Sequence, residues 1–204
     1  MKKLFLASSF ADCKELFSDF IWEDLHWKIV TFIPTAWVVE EDIFFIDDDK
    51  RAFESLWVTI DELEISTENI ENIKQKLEKN DFIFVSWWNT FFLLQELKKT
   101  WTDKLILEQI QKGKPYISTS AWSIIMSPSI KFIEEMDDLQ KAPELKNFDA
   151  FWLFGKYILP HYKNPYLWEI VENILKKNKN LPIFPITDKQ VICIKGENIL
   201  VKLA

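Results

Sequence analysis

Short runs of β-branched and aromatic residues alternate with stretches of helical periodicity along most of the chain. Lys3–Ala7, Lys28–Ile33, Val58–Ile65, Asp81–Ser86 and Tyr116–Thr119 have the composition of strands. Between them lie amphipathic segments such as Thr67–Lys79, with Ile70, Ile73 and Leu77 on one face and Glu71, Lys74 and Glu78 on another. Strand and helix in alternation predict a mainly parallel sheet with helices on both faces, its ligand site beyond the carboxyl ends of the strands. The tail reads differently: Ile183–Ile186, Gln190–Lys195 and Asn198–Val201 are short strands, the last two joined through Gly196 as a hairpin. No repeat or linker interrupts residues 1–204, which predicts a single α/β domain.

Composition narrows the function. With 25 basic against 32 acidic residues the net charge is −7, which argues against a nucleic-acid partner, since that affinity needs clustered cations. No apolar stretch approaches the roughly 18 residues needed to cross a bilayer, so no membrane partner is expected. The opening Met1–Ala11 has the charged-then-apolar order of a signal peptide, but serines and Asp12 break the run, and it reads as a first strand. Two distant cysteines, Cys13 and Cys193, form neither a disulfide framework nor a metal clip and point to the cytoplasm. Two histidines make a zinc site improbable, and no phosphate-cradling glycine loop is present, so neither metal nor cofactor is expected.

Ten tryptophans stand against three glycines, where about 14 glycines are expected from a share of roughly 7%. Trp27, Trp57 and Trp101 fall where predicted helices stop, positions that favour a left-handed residue and therefore glycine. Trp87, Trp88 and Trp122 fall in strand-to-helix turns. A positive φ penalises any Cβ, so tryptophan is a poor occupant of such sites. These positions read as glycines whose UGA codons are written as tryptophan.

The candidate chemistry lies at Ser118-Thr119-Ser120-Ala121-Trp122-Ser123, which follows a buried strand and opens an apolar segment, the setting of a nucleophile elbow. Ser120 reads equally as a helix N-cap. A serine nucleophile needs a base of near-neutral pKa, and His161, at the end of the strand-like Ile158-Leu159-Pro160, is the available partner; His26 reads as structural or exposed. The orienting acid is sought between them, among Glu134, Glu135, Asp137, Asp138 and Asp149. The amide of Ala121 and an amide of the Trp87-Trp88-Asn89 turn are the expected oxyanion donors.

These landmarks resemble peptidase E, the aspartyl dipeptidase family, with cyanophycinase as a more distant relative. The resemblance runs through Phe32-Ile33-Pro34-Thr35-Ala36, Phe84-Val85-Ser86-Trp87-Trp88-Asn89-Thr90, Thr119-Ser120-Ala121-Trp122-Ser123, Met136-Asp137-Asp138 and Leu159-Pro160-His161. It implies a three-layer α/β/α sandwich akin to the class I glutamine amidotransferases, serine replacing their cysteine. It implies Ser120 as nucleophile, His161 as base and Asp137 as acid, with Asp138 one step away, and short peptides, including dipeptides with N-terminal aspartate, as substrates. The family has glycine at 87, 88 and 122 and grips the substrate aspartate with an arginine. Here the one arginine, Arg51, precedes Ser120, and Lys156 or Lys163 is the expected point charge. A monomer or homodimer is expected. The competing expectation is a catalytically silent binding protein whose cleft is filled by Trp87, Trp88 and Trp122; a general ester hydrolase ranks third.

Overall fold

The computed structural model describes residues 1–37, 46–86 and 89–204. Five parallel strands, β1 (Lys3–Ala7), β2 (Ile29–Ile33), β3 (Thr59–Glu62), β4 (Phe82–Val85) and β5 (Pro115–Thr119), form one side of a seven-stranded sheet. After a two-stranded sheet of β6 (Tyr157–Leu159) and β7 (Ile183–Pro185), β8 (Gln190–Lys195) and β9 (Asn198–Leu203) complete the main sheet in the order β3-β2-β4-β5-β1-β8-β9. The last two strands are antiparallel, as the hairpin through Gly196 requires.

Both faces of the central strands are buried, which is why they are apolar without interruption. Successive side chains point to opposite faces. Leu4 and Leu6, Ile83 and Val85, and Ile192 and Ile194 enter one core. Phe5 and Ala7, Phe82 and Phe84, and Val191 and Cys193 enter the other. The second core is closed by helices α1 (Phe10–Ile21) and α2 (Ile46–Ser55) and is dominated by phenylalanines, with Phe10 stacked on Phe53 at 4.4 Å. The first is closed by α3 (Ile70–Lys79), α4 (Thr90–Lys99), α5 (Thr102–Gln111), the short α6 (Ala121–Ile125) and α7 (Trp168–Lys177). The result is the expected α/β/α sandwich.

Two sequence expectations shift. The helix predicted over 67–79 begins at Ile70, because Asn69 caps it by accepting a hydrogen bond from the Asn72 amide, 2.9 Å, and residues 67–69 form the preceding turn. The strand-like run before His161 forms β6 in the separate β6–β7 pair, and not a strand of the main sheet. Among the described residues no helix is long and apolar enough to cross a membrane.

Candidate active site

The turn from β5 into α6 is pinned from three sides. The Ser120 amide donates to the carbonyls of Ala7 and Ser8 at the carboxyl end of β1, 3.1 and 3.0 Å. Ser123 Oγ donates to the Ala7 carbonyl at 2.7 Å and lies 2.8 Å from Ser118 Oγ. The Thr119 hydroxyl accepts from the Phe10 amide at 3.0 Å, tying the turn to the start of α1. Held in this way, Ser120 takes φ +47° and ψ −112°, a conformation unfavourable for a residue with a Cβ and one that persists only where the surroundings over-determine it. Ser120 is therefore an elbow rather than a helix N-cap: its side chain makes no capping bond.

Instead Ser120 Oγ lies 2.7 Å from His161 Nε2. His161 also has positive φ, +61°, and its amide donates to Ser8 Oγ at 2.8 Å, so the ring is set by β1 as well as by its own loop. On the far side of the ring, Nδ1 is 2.7 Å from Asp188 Oδ1. Asp188 sits in the loop between β7 and β8, and the sequence reading did not single it out. Ser8 Oγ donates to Asp188 Oδ1 and Asn164 Nδ2 to Asp188 Oδ2, each at 2.7 Å. Burial pushes the Asp188 pKa up, but the hydrogen bonds from His161, Ser8 and Asn164 and the charge of His161 outweigh it and lower it to about 2. An ionised Asp188 makes Nδ1 the donor in neutral imidazole, which leaves the Nε2 lone pair for the Ser120 hydroxyl. The arrangement can remove the Ser120 proton and hold the charge that results.

Asp137, the acid implied by the resemblance, lines the same cleft as Ser120 and His161. Its Oδ2 accepts from the Thr90 amide at 2.8 Å and from the Thr90 hydroxyl, at the first turn of α4, where backbone amides favour a carboxylate. The sequence reading sought the acid between Ser120 and His161 in chain order, whereas the β7–β8 loop reaches the ring from beyond them. Asp149 is placed elsewhere, in a bridge to Ser129. The available signal for Asp188 was its position, an acid in the loop that follows the carboxyl end of a predicted strand.

A cleft of about 330 Å³ opens beside Ser120, lined by Ala121, Asn89, Thr90, Asp137, Asp138, Lys141, His161 and apolar neighbours such as Leu167. Asn89 caps α4 by accepting from the Phe92 amide, 2.9 Å, and its Nδ2 donates to the Asp138 carbonyl, 3.0 Å, so one residue joins two walls of the cleft. Trp88, and with it Trp87, lies outside the described residues. The lysine at the cleft is Lys141; Lys156 and Lys163 lie over the rings of Phe184 and Tyr162 instead. Trp122 is inside α6 and fully buried, 6.5 Å from Tyr116, so it packs the core and does not fill the cleft. Its Nε1 has no hydrogen-bond partner, a cost of about 1–3 kcal/mol. Both thiols are poor competitors for Ser120 as nucleophile: burial, with the charges of Asp12 and Asp188, raises Cys13 to about 12, and burial raises Cys193 to about 11.

The chain is similar to known peptidases. The chain is 48% identical over 203 residues to an uncharacterized peptidase of Listeria monocytogenes serovar 1/2a, covering 99% of this chain and 98% of that one. It is 45% identical to an uncharacterized peptidase of Pasteurella multocida, with the same coverage. A crystal structure of a peptidase E-like protein from Listeria monocytogenes EGD-e superposes with a TM-score of 0.96 at 48% identity, covering 100% of this chain and 99% of that one. A peptidase from an acI-B1 actinobacterium shares the fold at 18% identity, TM-score 0.71, covering 100% and 88%. The profile of peptidase family S51 matches residues 4–202, nearly the whole chain, and the protein is a member of that family, a serine peptidase.

Proposed function

We propose that Ser120, His161 and Asp188 are the catalytic groups of this peptidase and that its substrates are short peptides with a free amino terminus. The observation that carries the reading is the unbroken run Ser120 Oγ–His161 Nε2 and His161 Nδ1–Asp188 Oδ1, 2.7 Å at each step. In this reading His161 Nε2 takes the Ser120 proton as Oγ attacks the peptide carbonyl. Asp188 keeps Nδ1 protonated and stabilises the imidazolium. The amide of Ala121, with that of Asn89, receives the oxyanion. His161 then returns the proton to the leaving amine, and water releases the acyl group by the same route in reverse.

The cleft supports a small, charged substrate. Asp137 and Asp138 put negative charge beside Ser120, suited to an α-ammonium group, while Lys141 supplies a cation for a carboxylate. An N-terminal aspartate carries both. Lys141 lacks the bidentate fork of arginine, so discrimination for that residue rests on a point charge. The two free, buried cysteines support a reducing, cytoplasmic setting.

A fluorophosphonate probe tests the nucleophile: wild-type protein is labelled at Ser120, and the Ser120→Ala protein is not. Continued labelling of Ser120→Ala refutes the assignment. Comparing Asp-Leu with Ala-Leu as substrates in wild type and Lys141→Met then reads the specificity, with a selective loss on Asp-Leu expected.

A further inference from the structure

We propose that Trp22, Trp27, Trp57, Trp101 and Trp152 are glycines in the functional protein, each encoded by a UGA codon that its source decodes as glycine. All five have positive φ: +58°, +68°, +62°, +61° and +51° respectively. A Cβ in that region crowds the neighbouring backbone, and a bulky residue there is a genuine outlier, whereas glycine enters it freely.

The chain supplies its own reference. Gly113 ends α5 with φ +93°, its amide donating to the Ile110 carbonyl and the next amide, of Lys114, to the Gln109 carbonyl, both 3.0 Å. That pair of bonds is the helix-ending motif built around a left-handed residue. Trp57 ends α2 with the same pair: its amide donates to the Glu54 carbonyl at 3.0 Å and that of Val58 to the Phe53 carbonyl at 3.1 Å. Trp101 ends α4 in the corresponding place, its amide donating to the Lys98 carbonyl at 3.4 Å. Trp22 ends α1, donating to the Ser18 carbonyl at 3.0 Å. The paired motif is shared by Gly113 and Trp57, and a left-handed residue ends the helix in all four places, which the chain fills once with glycine and three times with tryptophan.

Nothing in the side chains' surroundings offsets the strain. The five are between 66% and 88% exposed, so their large apolar surfaces face water. Among the described residues Trp57 alone of the five has a ring partner, stacking on the exposed His26 at 5.4 Å. Independent substitutions at left-handed sites would be expected to bring in asparagine or aspartate, the residues that tolerate them best. Away from the loop of His161 and Lys163 and the elbow at Ser120, every described positive-φ residue is glycine or tryptophan. A single residue type standing in at five unrelated turns points to one cause, at the level of decoding.

The test is tandem mass spectrometry of the protein from its native source, with the gene sequenced alongside. Glycine in the peptides spanning these five positions, each opposite a UGA codon, is the expected result. Tryptophan there, or UGG codons, overturns the proposal. Recombinant protein gives a second readout free of the source. Each single Trp→Gly change at these positions is expected to raise the folding equilibrium constant by roughly fivefold to thirtyfold in urea titrations. Trp168→Gly, inside the first turn of α7 and not at positive φ, is expected to lower it. Five replacements that leave stability unchanged or reduce it also overturn the proposal. Labelling of Ser120 does not enter this test, so its outcome is separate from that of the catalytic reading.

Discussion

Replacing Asp188 with asparagine removes one oxygen's charge and little volume, and it separates the acid found in the fold from the acid implied by the sequence. Holding the Asp188 pKa at about 2 rather than 3.8 amounts to about 2 kcal/mol in favour of the ionised carboxylate beside His161. Asparagine forfeits that term. It also presents an amide that can donate to Nδ1, turning the imidazole to the tautomer whose Nε2 carries a proton and cannot accept one from Ser120. The stabilisation of imidazolium in the transition state is lost as well. Together these should lower kcat on a dipeptide about 10³- to 10⁴-fold, or about 4–5.5 kcal/mol, with KM changed far less. The assay is steady-state hydrolysis of dipeptides, with the rate of fluorophosphonate labelling as a substrate-independent measure of Ser120 reactivity. Asp137→Asn is the comparison: it weakens the cap on α4 by about 1 kcal/mol and removes a charge offered to the α-ammonium group, so KM should rise while kcat and the rate of fluorophosphonate labelling stay within about tenfold of wild type. Retained activity in a folded Asp188→Asn protein, together with its loss in a folded Asp137→Asn protein, would refute the reasoning.

Two further outcomes follow from the same contacts. Ser8→Ala removes a donor to Asp188 and the acceptor for the His161 amide, so Ser8 is a positioning residue. Its loss should cut kcat about tenfold, leave KM nearly unchanged and raise the lower pKa of the pH–rate profile; an unchanged profile would show that Ser8 only fills space. Asp188, whose pKa is depressed in the fold, contributes stability that is fully present above about pH 4 and is lost as pH falls towards 2, so urea midpoints should drop across that window in wild type and less in Asp188→Asn. Asp49 has the opposite sign. Burial raises its pKa well above 3.8, with further upward pressure from Asp48 and Asp12 against the hydrogen bond from the Ala11 amide. The unfolded chain ionises first, so its destabilising effect grows as pH rises above about 4; Asp49→Asn should raise the urea midpoint more at pH 8 than at pH 4, and equal shifts would refute the burial argument.

The order of elements, the two-sided burial of β1, β4 and β5, and the elbow at Ser120 were legible along the chain because each is a local matter. Uninterrupted apolar runs mark strands covered on both faces, and a hydroxyl just past such a strand marks the turn. Trp57 and Trp101 were legible for a related reason, since a helix's end is visible where its periodicity stops, whereas Trp27, expected at a helix end, lies in the turn before β2, and α1 stops at Ile21. Trp22 and Trp152 were not: the helical pattern was read on as far as Trp27, past the true end of α1 at Trp22, and at Trp152 only the backbone angle shows a left-handed residue. Trp122 was misread in the opposite sense: the left-handed residue of its turn is Ser120, and Trp122 is already helical. The pairing of Ser120 with His161 was inferred from scarcity, whereas the acid was not recoverable in the same way. A carboxylate is abundant in a chain with 32 of them, and which one meets Nδ1 depends on how the β7–β8 loop returns past the end of β1. Sequence by itself thus determined the layers and singled out Ser120 and His161 as the nucleophile and base proposed here, through short-range rules of pattern and turn chemistry. The tertiary structure alone brought Asp188, the acid proposed here, to the ring, because hydrogen bonding acts over a few ångströms in space and is indifferent to separation along the chain.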